Sequence, residues 1–304
     1  MSHTPLNPLL PVGAASDRRA DAHADGQAFA PLLSDAFAQA WALPDAPEGA
    51  SALRGRLLGR TSASRRAEHG MVTTRRRKLA RQTLAAGAQA QLLYAARPGA
   101  ALRPGEPLRV RLIELADAAR LTPDLLGPAP ADAQGRPQPC RCEWLVVQGS
   151  VWLGEDLLSA RDYHLSPPGQ PLPSWRAQGP ALLFLRESLG SSAAADPGEQ
   201  AYTLRDAEAG WPDFAPGIQR RVLWQQGGQA ALLYLAQAGA QVPRHQHGHD
   251  EECLMLQGEL FLDDLLLQAG DYQLAPAGTG HRITETDTDV VIYAHGDLDL
   301  QFVA

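Results

Sequence analysis

Three histidines and one glutamate stand at fixed intervals near the end of the chain. "HQHGHDEECLMLQG" supplies His245, His247 and Glu251, and "GDYQLAPAGTGH" supplies His281. Imidazoles with a carboxylate are ligands for a first-row transition metal, and four of them leave coordination positions for water or a small molecule. Calcium and magnesium prefer all-oxygen shells and are disfavoured by this set. The ligand set alone does not choose between Zn, Fe, Mn and Ni.

Strand geometry explains the spacing. Residues two apart on a strand point to one face, so His245 and His247 aim together, and a short turn at "GHD" lets Glu251 enter on the next strand. The following inward positions on that strand are Cys253 and Met255. Gly258 and a turn at Asp263–Asp264 reverse the chain, and Gly270, Pro276 and Gly278 shape the turns that deliver His281. Glu252 has the opposite parity and is expected to face solvent or a neighbour. His249 sits in the turn, and Cys253 reads as a small buried residue. His295 reads as a strand-end histidine with its hydrogen bonds satisfied.

The elements that carry these residues occur twice. "EWLVVQGSVWLGEDLLSARDYHLSPPG" (143–169) aligns without gaps on "ECLMLQGELFLDDLLLQAGDYQLAPAG" (252–278), with 13 of 27 positions identical. Upstream, "AQAQLLYAARPGA" from Ala88 resembles "GQAALLYLAQAGA" from Gly228 at an offset of 140 instead of 109, which would give the first copy about 31 extra residues. On these offsets Glu251 corresponds to Cys142, His281 to Leu172, and the two upstream histidines to "PGEP", so the first copy keeps the turns and loses every ligand. Short apolar or alternating runs broken by Gly, Asp and Pro indicate antiparallel β-structure. The expected organisation is a tail with short helices and a basic linker (1–69), a metal-free domain (70–190), a linker (191–210) and a metal-binding domain (211–304).

The tail offers "FAPLLSDAFAQAW" (29–41) and "ASALRGRLLGR" (50–60) as short helices, the second with Leu53, Leu57 and Leu58 on one side. Residues 54–81 hold ten Arg or Lys against a single acid, Glu68, and read as a solvated linker in a chain with 26 Arg and one Lys. A net charge of −7 argues against a protein that coats nucleic acid. Three cysteines, Cys140, Cys142 and Cys253, make no disulfide framework. No apolar run approaches the roughly 20 residues a bilayer requires. The N-terminus lacks the basic start and apolar core of a signal peptide, so a cytoplasmic protein is expected.

Both metal motifs resemble the cupin superfamily, which implies an all-β fold: two double-stranded β-helix (jelly-roll) barrels in tandem after a partly helical N-terminal segment. It also implies metal ligation by His245, His247, Glu251 and His281. Glu285 stands where the family often has Asn. "RHQHGHDEECLMLQGELFLDD" with "GDYQLAPAGTGH" is similar to the cupin half of ChrR-type anti-sigma factors, and "ALRGRLLGR" resembles the hinge of such proteins. That resemblance implies a zinc-containing sensor that sequesters a sigma factor through N-terminal helices. The family's N-terminal zinc segment needs His and Cys-x-x-Cys, and residues 1–70 contain no cysteine. The alternative reading is a cupin enzyme, a dioxygenase or isomerase, in which the metal handles O2 or a small organic substrate. A small-molecule ligand at the metal and a homodimer are compatible with either.

Overall fold

The computed structural model describes residues 48–303 except 69, 98, 133 and 191–198. The helix expected over 29–41 lies outside the described residues. The second expected helix is longer than the sequence suggested, running over Glu48–Glu68, and exposes Leu53, Leu57 and Leu58. No helix among the described residues is long and apolar enough to cross a membrane.

Two antiparallel sheets dominate. One has nine strands, with Cys140–Leu153 and Trp175–Leu189 at its centre. The other has seven, with Glu251–Gln257 between Tyr272–Ala275 and Val290–Asp297. The central strands of each sheet are buried on both faces, which is why stretches such as those in Trp175–Leu189 and Val290–Asp297 read as nearly unbroken apolar runs. Along the first, Cys142, Trp144 and Val146 face a barrel interior, while Leu145 faces the other barrel with Tyr163, Leu165 and Phe184. In the second barrel Leu254, Tyr272, Leu274 and Tyr293 meet them, each 109 residues after its counterpart. The two barrels therefore share one apolar layer about a pseudo-twofold relation.

Inside that layer lies an ionic cluster. Arg186, fully buried, reaches Glu143 at 2.8 Å and Glu252 at 2.6 Å and donates to the Gly105 carbonyl. The Tyr163 and Tyr293 hydroxyls donate to Glu143, and Tyr272 donates to Glu252. Burial raises the pKa of Glu252, with Arg186 and Tyr272 opposing that rise. Glu252 thus faces a neighbour, as its parity suggested, and the neighbour is the other barrel.

The upstream half of the repeat differs from the sequence alignment. A bulge at Leu93, between strands Ala88–Ala95 and Pro107–Leu115, matches one at Leu223 between Ile218–Gln226 and Gln229–Ala236. Glu114 pairs with Leu182 and Leu235 pairs with Val291, in equivalent places. The true offsets are therefore 130 and then 121, and the match at 140 places strands that are not equivalent. The first copy's extra length falls in two shorter insertions, before Pro107 and between Leu115 and Cys140. The histidines at 245 and 247 correspond to the segment 116–139, not to "PGEP"; that segment also contains no histidine.

The offset of 130 extends to the start of each copy. Val72–Thr74 pairs with Tyr272–Ala275 of the second barrel, and Tyr202–Leu204 pairs with Tyr163–Ser166 of the first. Each copy thus lends its first strand to the other barrel. The basic run beyond Val72 is accordingly not a loose linker: Arg75 bridges to Asp271 at 2.6 Å and Arg76 to Glu114 at 2.8 Å.

Replacing Arg186 with Met leaves two carboxylates facing each other away from water, at a cost of about 3–5 kcal/mol. Urea unfolding of Arg186→Met should show that loss, and adding Glu143→Gln and Glu252→Gln should recover most of it. Equal stability of Arg186→Met and the wild type would contradict the assignment.

Candidate metal centre

His245 lies on the short strand His245–Gln246, directly opposite His281 on Gly280–His281. A Cβ at Gly280 would stand 2.3 Å from the His245 carbonyl oxygen, so only glycine lets these two strands close. His247 follows in the turn, and Glu251 opens the strand Glu251–Gln257. All three imidazoles are buried, with ring centroids 5.0–5.6 Å apart. Oε1 of Glu251 lies 3.5 Å from His247 Nε2 and 3.9 Å from His281 Nε2. Ligand atoms of His245, His247 and Glu251 fall within 4.8 Å of one another, a spacing that could hold a metal ion.

The outer nitrogens of the histidines are occupied. Nδ1 of His245 lies 3.0 Å from the Pro243 carbonyl, Nδ1 of His247 3.1 Å from the Thr279 hydroxyl, and Nδ1 of His281 3.4 Å from Asp263. Nε2 of His247 and of His281 are buried with no hydrogen-bond partner. A buried orphan nitrogen is costly unless something binds it. Fixing Nδ1 while Nε2 is directed into a cluster is how metal-binding histidines are oriented. Burial, the largest influence, lowers the pKa of His247, and neutral imidazole is the form that binds metal. The donor set fits a divalent transition metal.

Asp263 is the residue that sequence reasoning missed. It has a positive φ of 56° in the turn after Glu259–Leu262 and is buried. Burial opposes its ionisation, but the hydrogen bonds from His281 and the Arg282 amide prevail and hold it below the usual carboxylate range. Its position in an Asp-Asp turn was visible in sequence; its contact with His281, 18 residues away, was not.

The remaining residues divide clearly. Nδ1 of His249 contacts Asp297 in the turn. Cys253 lines a cavity of about 90 Å³ beside His245, Glu251 and His281. Burial pushes its thiol well up, so it is no ready thiolate. Met255 packs into the barrel core with Leu260, Leu262 and Leu267. Glu285 lies on Thr284–Glu285, where Gln241 donates to it at 3.4 Å, outside that cavity. His295 is buried, stacked on Trp224 at 5.5 Å and 3.6 Å from Glu143; its Nε2 has no hydrogen-bond partner, contrary to expectation.

The first barrel shows what replaced this centre. At the offset of 109, Cys142 stands for Glu251, Trp144 for Cys253 and Trp175 for Thr284. The two indoles lie 5.1 Å apart in the core, filling the space that the second barrel keeps open.

The comparisons agree with this architecture. Residues 199–300 match the family model of the ChrR Cupin-like domain. The chain thus has a bicupin fold, with the ChrR Cupin-like domain in its second barrel. A candidate dioxygenase from Nostoc punctiforme superposes with a TM-score of 0.57 at 16% identity, over 77% of this chain and 85% of that one. The E. coli protein Ylba gives 0.54 at 13% identity, over 75% and 91%. The formate complex of Lactobacillus farciminis oxalate decarboxylase gives 0.50 at 12% identity, over 76% and 87%. At these identities the likeness is one of fold. No curated protein matches the bicupin by sequence.

Asp263→Asn keeps the shape and tolerates the positive φ while removing the charge that orients His281. Competition with a chromogenic chelator should show affinity for zinc reduced about 10–100-fold, with the melting temperature of the metal-free protein little changed.

Proposed function

We propose that the bicupin is a ChrR-like regulatory protein whose second barrel holds one divalent metal, zinc, on His245, His247, Glu251 and His281. The observation that carries the metal is the pair of buried, unpartnered Nε2 atoms on His247 and His281, aimed at Glu251. Three histidines and Glu251 would fill the tetrahedral shell that zinc prefers, and a ligand or oxidant would reach it by expanding that shell to five positions.

The match of residues 199–300 to the ChrR Cupin-like domain supports a regulatory role over catalysis. The sigma factor is the proposed partner, taken up by the N-terminal segment. Exposed Leu53, Leu57 and Leu58 on Glu48–Glu68 supply apolar surface for it without the Cys-x-x-Cys zinc segment. A cytoplasmic location follows from that partner. The apolar cavity beside the histidines favours a second reading, a metal-dependent cupin enzyme acting on a small organic substrate.

Protein purified without chelators should contain one zinc per chain. His281→Ala should lose it and remain folded, since the first barrel folds with no such residues. Iron in place of zinc, with substrate-dependent O2 uptake, would contradict the regulatory reading and support the enzyme. Deleting residues 1–60 should abolish co-purification with a sigma factor; unchanged co-purification would remove the anti-sigma role.

A further inference from the structure

The space next to the candidate metal centre is chemically one-sided. The lining includes His245, Glu251 and His281; the rest of the wall is mostly apolar, with Leu232, Leu260 and Ile292 prominent beside Phe214 and Tyr234. Asp297 is its one other carboxylate, which accepts from the Gly248 amide and contacts His249. Few polar groups interrupt it. The Thr286 hydroxyl is used up on the Glu259 and Thr288 carbonyls. The Thr284 hydroxyl is buried with no partner at all, and Thr284 lines the cavity. No lysine or arginine is among the lining residues.

The charge arithmetic then selects a ligand. A divalent metal with neutral imidazoles and the Glu251 carboxylate carries a net charge of about +1. One carboxylate neutralises it and accepts a hydrogen bond from Thr284. A second carboxylate would meet apolar carbon and the Asp297 carboxylate, with no lysine or arginine in the wall to offset it, which is strongly unfavourable. The volume, about 90 Å³, is well above the roughly 10–15 Å³ that one water needs, so the site admits a small organic body. We propose that this cavity binds a small monocarboxylate with an apolar body, its carboxylate on the metal and its chain against Leu232, Leu260 and Ile292. The inference rests on the metal reading above. It gives the regulatory site a defined effector, and it excludes dicarboxylates such as oxalate.

The experiment is isothermal titration calorimetry on the full chain, zinc-loaded and metal-free, with zinc content measured on the same samples. The probes are the straight-chain acids from acetate to octanoate, and oxalate. On the zinc-loaded protein, affinity should rise about fourfold per methylene from acetate until the apolar wall is covered, and then level off or fall. Oxalate should bind at least tenfold more weakly than hexanoate, and the metal-free protein should bind none of the series. Thr284→Val should weaken hexanoate about tenfold while zinc content stays at one per chain. Ala294→Phe should end that rise at shorter acids; should that variant fail to fold, the chain-length series on the wild type still decides. Zinc at one per chain with a flat series, with oxalate preferred, or with equal hexanoate binding to metal-free protein overturns the monocarboxylate site and leaves the metal reading standing. Failure to load zinc, iron, manganese or nickel overturns both.

Discussion

Arg186 is buried between Glu143 and Glu252 where the two sheets meet, and the rest of the molecule is arranged around that contact. Charges so far from water are tolerated only when each finds a partner. Here the tyrosine hydroxyls and the Gly105 carbonyl complete the set. The geometry this requires fixes the two barrels back to back. It also fixes strand Glu251–Gln257, because side chains alternate along it: Glu252 is held in the shared layer, so Glu251 must face the barrel interior. One ion pair thereby sets the direction of the neighbouring candidate ligand.

The two halves apply one scaffold to different ends. In the first barrel Trp144 and Trp175 fill the interior, and the volume saved for chemistry in the second becomes apolar core. In the second, small or medium side chains at the same places, Cys253 and Thr284, keep a cavity open beside the histidines. Exchange of the first strands, Val72–Thr74 and Tyr202–Leu204, ties the halves further. The barrels cannot separate without breaking sheet pairing in both.

What was legible in sequence was what a strand encodes locally. The two-residue alternation at His245 and His247 and the turn glycines gave the all-β fold and the grouping of candidate ligands, because parity and turn geometry act over a few residues. The repeat was legible where both copies kept the same turns. It misled upstream, where "AQAQLLYAARPGA" and "GQAALLYLAQAGA" share apolar spacing but occupy different strands; any two strands of similar burial can match in that way. Asp263, the strand exchange and the Arg186 cluster were hidden for a different reason. Each depends on partners between 18 and about 200 residues away, and nothing in local spacing records such pairings.

The central claim is that three imidazoles and one carboxylate hold the metal, with no sulfur in the shell. X-ray absorption spectroscopy at the zinc edge tests it most directly. The account predicts a first shell of nitrogen and oxygen at about 2.0–2.1 Å, with the outer-ring scattering of three imidazoles. A sulfur contribution near about 2.3 Å, or a shell of oxygen alone, would contradict it.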